Sequence, residues 1–461
     1  MIRLSRFPSS CVLATLLVLA TAACGGSSGA TRNAPGQPPT VQRDQRSPSF
    51  DPLPLYRQMG LIARGLPFPV VGRIDALPGR TADTSHVVVV LGFAPSALRF
   101  NRETDDRFRA NYTVSIAVTT RDGAPVANVS TTETVVVGAF RETERSDESI
   151  LYQEILDLPP GRYRVSLALR DVSSQRGITE DTDLEVRDFA QQALAVPMPV
   201  NRIIPRETRD SLPFILARPR AAAALGQDST IPMYVESANP ADTVLALLAR
   251  GESGRVLWRD TVRLDGFPTL ASGIVQVPVE RLGVGISQIA LVGSGGADTA
   301  ATYVFVGFGE NLPIARFEDM LQFLRYFARP TRLQALREVP EEQRPAAWMA
   351  FVRETDSLPE TPDNEDLRAY FGRLAQASVR FREDDAVGWM SDRGKVFLVL
   401  GEPDQILEPT FTDLTRARQQ VWDYRGRAIQ LQFYDQTGVG RWRLTQASEA
   451  RFELELRRLL R

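Results

Sequence analysis

Two stretches of strict alternation constrain this chain most. Tyr112, Val114, Ile116 and Val118 are separated by Thr113, Ser115 and Ala117, and Tyr163, Val165, Leu167 and Leu169 by Arg164, Ser166 and Ala168. A period of two places the apolar set on one face of a strand and the small or polar set on the other. Arg121-Asp122-Gly123-Ala124 follows the first stretch as a turn signal. Leu158-Pro159-Pro160-Gly161 and Asp171-Val172-Ser173-Ser174 bracket the second. Val87-Val88-Val89-Val90-Leu91 and Thr134-Val135-Val136-Val137 add β-branched runs. Short strands at this spacing predict an antiparallel β-sandwich over residues 50–200.

Residues 201–310 repeat the pattern. Strands are expected at 231–236, 243–249, 256–264, 274–279, 289–292 and 303–306, with Gly251-Glu252-Ser253-Gly254 as a connecting turn. Gly293-Ser294-Gly295-Gly296 has the composition of a dinucleotide loop, but such a loop must open a helix. Here a strand pattern follows, so a hairpin is predicted. Pro160-Gly161-x-Tyr163 is similar to the start of a late strand in immunoglobulin-like modules. The fold class expected is therefore multidomain, with two antiparallel immunoglobulin-like β-sandwich modules followed by a C-terminal α+β domain.

Composition narrows the chemistry. The 461 residues carry a formal net charge of −2, without the basic excess of a nucleic-acid binder. The only histidine is His86 and the only cysteines are Cys11 and Cys24, too few for a zinc site built from His and Cys, so no metal or cofactor is expected. Ser-His-Asp or Cys-His catalysis would have His86 as its single possible base, and His86 reads instead as a surface or strand-end residue. The run 141–149, with three Glu, one Asp and two Arg, is either a recognition loop or, more simply, a solvated loop with internal ion pairs.

The first segment is an address. Arg3 and Arg6 precede an apolar run, Val12 to Ala23, that ends in small residues at Cys24. This reads as a signal peptide over 1–23, followed by a Gly/Ser/Pro/Gln-rich tether over 24–49. The segment resembles the bacterial lipoprotein signal. The resemblance implies lipidation of Cys24 and, with Gly25 rather than Asp after it, an outer-membrane anchor. The location expected is the cell envelope, lipid-anchored and facing the periplasm.

After Pro313 the period becomes helical. Phe317, Met320, Leu321, Leu324 and Phe327 share a face, with Pro330 expected to stop that helix. A second helix is expected after Pro345, around Trp348, Phe351 and Val352. A third, through Leu367, Tyr370, Phe371, Leu374 and Phe381, takes Thr361-Pro362 as its cap. Together the helices should occupy 314–382. Val396 to Leu400 is apolar on both faces and is expected as a central strand of a sheet over 395–445. Ser448 is expected to start a final helix over 448–461, carrying a Glu453–Arg457 pair.

Gly388-Trp389-Met390-Ser391-Asp392-Arg393-Gly394, then Gly401-x-Pro403-Asp404 and Trp422-x-Tyr424, resemble the GWxTD domain of bacterial envelope proteins, spanning about 311–461. The resemblance implies no established activity. Locally, Gly388 is expected as a left-handed helix cap. Ser391 and Asp392 should bond nearby backbone N–H groups, and Trp389 should plug a helix–sheet junction. Gly394-Lys395 lacks the spacing of a phosphate loop. Val399-Leu400-Gly401-x-Pro403-Asp404 with Trp-x-Tyr is also similar to a small lipoprotein of the outer-membrane β-barrel assembly machinery, a likeness that carries no function. No catalytic residue is assigned. The expected role is non-catalytic binding or scaffolding among other envelope proteins, without nucleic acid. The competing expectation is a carboxylate-based hydrolase of envelope polysaccharide, drawing on Asp392, Glu402, Asp404 or Asp435.

Overall fold

A computed structural model describes residues 53–461 apart from 66–67, 105, 146–148, 294–295, 297, 310–314, 362, 384–386 and 410–417. Signal peptide, Cys24 and tether lie outside the described residues. β-Sheets, antiparallel except where Ala222–Ala224 runs parallel to Thr299–Gly307, form the N-terminal part of the described chain, and helices with a small antiparallel sheet form its C-terminus.

Alternation is realised in the outer sheet. Arg107–Thr120 pairs with Pro125–Val137 on one side and Gly161–Asp171 on the other, and Gly161–Asp171 pairs with Gly177–Val186. Its inward residues Val114, Ile116, Val118, Val165, Leu167 and Leu169 pack on Val87, Val89, Leu91 and Phe93 of a second sheet. That sheet runs Ile62–Arg64, Val70–Pro78, Ser85–Phe93, Ile150–Leu158, antiparallel throughout. The Tyr163 hydroxyl donates to the carbonyl of Pro159 at 2.9 Å, the closure of a tyrosine corner.

Ser85–Phe93 is buried at every position, which explains its unbroken apolar run. Its other face, Val88 and Val90 with Leu77, meets Met198, Val200, Ile215, Ala217 and Tyr234 of a third sheet. The third sheet runs Phe214–Ala217, Met198–Ile204, Thr230–Ser237, Ala271–Pro278, Asp265–Gly266. Its far face packs Ile231, Met233, Val235, Val275 and Val277 against Leu245, Leu247, Ile289, Leu291 and Val304 of a fourth. The fourth sheet runs Ala222–Ala224, Thr299–Gly307, Gly285–Val292, Val244–Arg250, Val256–Arg263. Its Gly285–Val292 and Thr299–Gly307 pair antiparallel as a hairpin across the glycine-rich turn. The four sheets are thus one continuous stack, because the second sheet is apolar on both faces.

Eight α-helices occur among the described residues: α1 Leu53–Gln58, α2 Phe140–Thr143, α3 Phe317–Phe323, α4 Pro330–Glu338, α5 Arg344–Glu354, α6 Glu365–Arg380, α7 Asp392–Leu400 and α8 Gln446–Leu459. Pro330 starts α4 rather than merely ending its predecessor, since proline at the first helical position loses no hydrogen bond. The cap of α6 is Asn364, whose side chain accepts from the Leu367 amide at 2.8 Å, not Thr361. Thr445, not Ser448, caps α8, and there Glu455 rather than Glu453 holds arginines, Arg427 at 2.9 Å and Arg458 at 3.4 Å.

The largest departure is at 396–400. These residues are the C-terminal half of α7, and the C-terminal sheet runs only from Gln405 to Leu444, as Gln405–Leu407, Arg418–Tyr424, Ile429–Asp435, Arg443–Leu444. A short apolar run buried on all sides has the same composition in a core helix as in a central strand. The helical region shares its core with the fourth sheet. Phe308, just beyond the strand Thr299–Gly307, stacks on Phe371 at 5.0 Å and meets Trp348 edge-on at 5.5 Å. Glu252, in the turn of that sheet, accepts from the Phe317 amide at 2.8 Å, a carboxylate at the N-terminus of α3.

Candidate functional site

The Gly-Trp-Met-Ser-Asp segment is a tight brace. Gly388–Met390 forms one 3-10 turn, and Ser391 then caps α7. The Ser391 hydroxyl accepts from the Gly394 amide at 3.0 Å and donates to the Gly388 carbonyl at 2.8 Å. Gly388 is not a left-handed cap. A Cβ there would lie 2.1 Å from the carbonyl oxygen of Ala377 in α6, so glycine is required by close backbone approach. A Cβ on Gly394 would lie 1.8 Å from the Gly388 carbonyl oxygen. The two glycines therefore serve one contact, which lets α6 and α7 meet through the turn.

Trp389 is 2% exposed and plugs a junction among helices rather than between helix and sheet. Its ring meets Phe323 of α3 edge-on at 5.5 Å, and the Arg325 guanidinium lies 4.9 Å from its centroid. Asp392 reaches across the domain instead of into its own turn. One carboxylate oxygen accepts from the Leu444 amide at 2.7 Å and the other pairs with Lys395 at 3.1 Å. Lys395 also pairs with Glu449 at 3.4 Å. Burial opposes the Lys395 charge, but the Asp392 carboxylate outweighs it, so the ammonium holds its proton above the ordinary lysine value. The Arg393 guanidinium lies 5.0 Å from the Trp442 ring centroid and 5.5 Å from that of Phe381.

The second half of the motif ties the end of α7 to the sheet. Gly401 ends the helix with φ +79°, and its carbonyl accepts from the Tyr424 hydroxyl at 3.0 Å. Pro403 is buried, and Asp404 accepts from the Arg425 amide at 2.7 Å. Trp422 is buried between Phe381 and Phe433, donating its indole N–H to Gln420 at 2.8 Å. The remaining carboxylates are engaged in the same way. Glu402 forks onto Arg380. Asp435, fully buried, accepts from the amides of Gly438 at 3.0 Å and Gly440 at 2.8 Å and from Arg418 at 3.0 Å. Burial pushes the Asp435 pKa up, yet those N–H donors and Arg418 more than compensate and hold it below the usual carboxylate range. Each carboxylate that a hydrolase would draw on is thus fixed by the backbone or an arginine. Among the described residues no cluster of three or more His, Cys, Asp or Glu is arranged to hold a metal.

A concave surface lies in the N-terminal part of the described chain. A cleft of about 800 Å³ is lined by Leu98, Phe100, Phe108 and Phe140 with Arg99 and Arg102. Phe140, the first residue of α2, is 60% exposed, and its ring packs edge-on against Phe108 at 5.9 Å. This cleft was not expected from sequence. The only signal was an aromatic immediately before the charged run, of which 146–148 lie outside the described residues.

Comparison with known proteins bears on the C-terminal region. Residues 295–453 match the family model of the GWxTD domain. The chain carries a GWxTD domain, a family with no known catalytic activity. The match begins before the strand Thr299–Gly307 of the fourth sheet, which therefore falls within the matched GWxTD region. No curated protein matches the chain. Similar solved structures include a biofilm-associated protein BSP domain, at 8% identity and TM-score 0.17 over 54% of this chain and 52% of that one. They also include Escherichia coli α2-macroglobulin, at 10% identity and TM-score 0.18 over 54% and 16%. Ruminococcus gnavus β-glucuronidase matches at 9% identity and TM-score 0.17 over 56% and 41%. The chain spans about half of the first and a sixth of the second, and scores at this level define no common fold.

Proposed function

We propose that this chain is a lipid-anchored scaffold of the bacterial cell envelope that binds partner proteins and carries out no chemistry. Its GWxTD domain serves as a brace and its outer sandwich as the binding face. The observation that carries the reading is the division of labour between the two ends. The motif residues Trp389, Ser391, Asp392, Asp404, Trp422 and Tyr424 all make internal contacts. Phe140, an aromatic of the kind that anchors interfaces, stands exposed beside Arg99 and Arg102 in the cleft. Lipidation at Cys24 and the tether after it would hold this stack clear of the outer-membrane headgroups on the periplasmic side. Among the described residues no helix is long and apolar enough to cross a membrane.

The test is photo-crosslinking in cells from a benzoylphenylalanine placed at position 140, with position 372 on the open surface of α6 as control. The reading requires a discrete protein adduct from position 140 and none from position 372. Adducts from neither position, together with hydrolysis of envelope polysaccharide by the purified chain, would establish the hydrolase alternative instead.

A further inference from the structure

The single histidine is neither at the surface nor idle. His86 is 1% exposed, on the face of Ser85–Phe93 that packs on the third sheet. Its Nδ1 lies 2.5 Å from Oδ1 of Asp157 on the neighbouring strand Ile150–Leu158, so Nδ1–H donates to that carboxylate. Nε2, on the opposite side of the ring, is buried without a hydrogen-bond partner. Asp157 itself is 60% exposed.

The third sheet brings a charged cluster to the same seam. Arg206 follows Met198–Ile204 and is buried. Its guanidinium donates to the Glu236 carboxylate at 2.6 and 2.9 Å and to the Ser211 carbonyl at 2.9 Å, and it reaches across the seam to the carbonyl of Pro78. Pro78 ends the strand paired with Ser85–Phe93, opposite Ser85 and one place from the His86 register position. Arg209 donates to the carbonyls of Gly79 at 2.7 Å and Thr81 at 2.9 Å. Tyr234 donates its hydroxyl to Glu236 at 2.5 Å. The charged groups that act on the His86 ring are Asp157 from its own sheet and, from the other, Arg206 with Glu236. Arg209 and Tyr234 complete the cluster.

We infer that this seam is a proton-sensitive lock between the two sandwiches, closed while His86 is neutral and loosened when Nε2 takes up a proton. A proton there creates a buried N–H with no acceptor and a second cation beside Arg206. Asp157 and Glu236 attract the imidazolium. Burial, the larger effect, and Arg206 oppose it, and the ring is held below the ordinary histidine value. A group depressed in the closed state contributes stability that is present above its ordinary pKa near 6.5 and is lost as pH falls below it. Acidification of the envelope would then free the outer sandwich, with its cleft, from the rest of the stack.

The full chain tests this directly, because its one histidine gives a single imidazole Cε1–H resonance. Its midpoint should lie below 6.5. Exchange of the amides of Ser85–Phe93 and Thr230–Ser237, after the intrinsic pH dependence is divided out, should be roughly five- to tenfold faster at pH 5.5 than at pH 7.5. His86→Gln should abolish that acceleration. If His86→Gln does not fold, Asp157→Asn serves instead: it should move the midpoint further down, since the carboxylate it removes favours the proton. A midpoint at or above 6.5, or seam exchange with no excess acceleration at pH 5.5, overturns the inference.

Discussion

Two glycines in neighbouring helices should respond to alanine with opposite signs. Gly372 lies on the open surface of α6, where an added Cβ meets nothing within 4 Å. Alanine there gains helix propensity, about 1 kcal/mol. Gly394 lies in the first turn of α7, where a propensity argument predicts a similar gain. The geometry forbids it: the new Cβ would stand 1.8 Å from the Gly388 carbonyl oxygen and 2.9 Å from Cα of Trp389, both main chain. No rotamer relieves a backbone clash, so α7 must move away from the turn, disturbing the Ser391 bonds and the seat of Trp389. Overpacking of this kind costs about 1–3 kcal/mol. Set against the propensity gain, Gly394→Ala should destabilise by about 1 kcal/mol. The assay is urea unfolding of the full chain followed by tryptophan fluorescence. Trp348, Trp389, Trp422 and Trp442, four of the five tryptophans, lie in the matched region, so the signal reports on it. A Gly394→Ala chain as stable as wild type, or more so, would refute the reading of this segment as a close-packed brace.

The remaining expectations are simple to state. Asp392→Asn keeps an acceptor for the Leu444 amide but removes the Lys395 pairing. It should cost about 1–3 kcal/mol by thermal melting at pH 7 and leave partner recovery unchanged at temperatures where the chain is folded. Because Lys395 is held above the ordinary lysine value, the stability it contributes is present below about pH 10.4 and fades above it, so the mutant should lose less than wild type on going to alkaline pH. Cys24→Ser should release the protein from the membrane fraction into the soluble periplasm. Continued membrane association with unchanged mass would contradict lipidation.

Much of the architecture was legible because its signals are local. The alternations at 112–118 and 163–169 are strands with those residues inward, and Gly161 opens the second of them. Val396 to Leu400 was misread because five apolar residues do not reveal their period. The decisive marks lay outside the run: Ser391 as a side-chain cap with Asp392 after it, and Gly401 at the far end, ten residues on. His86 and Arg206 were illegible for a different reason. Their partners, Asp157 and Glu236, sit 71 and 30 residues away, brought to them by strand pairing in the second sheet and by the layout of the third. The same holds for Asp392, whose backbone partner Leu444 is 52 residues on. The cleft around Phe140 escaped because concavity has no sequence period.

The central claim is that the GWxTD motif is internal bracing and that binding happens elsewhere. Trp389→Ala tests it most directly, with unfolding free energy and partner recovery from cells measured on the same variant. Trp389 is buried against Phe323 and Arg325, so truncation should cost about 3–5 kcal/mol, with partner recovery falling only where the chain unfolds. Unchanged stability together with complete loss of partner recovery would make Trp389 an interface hot spot and contradict the account.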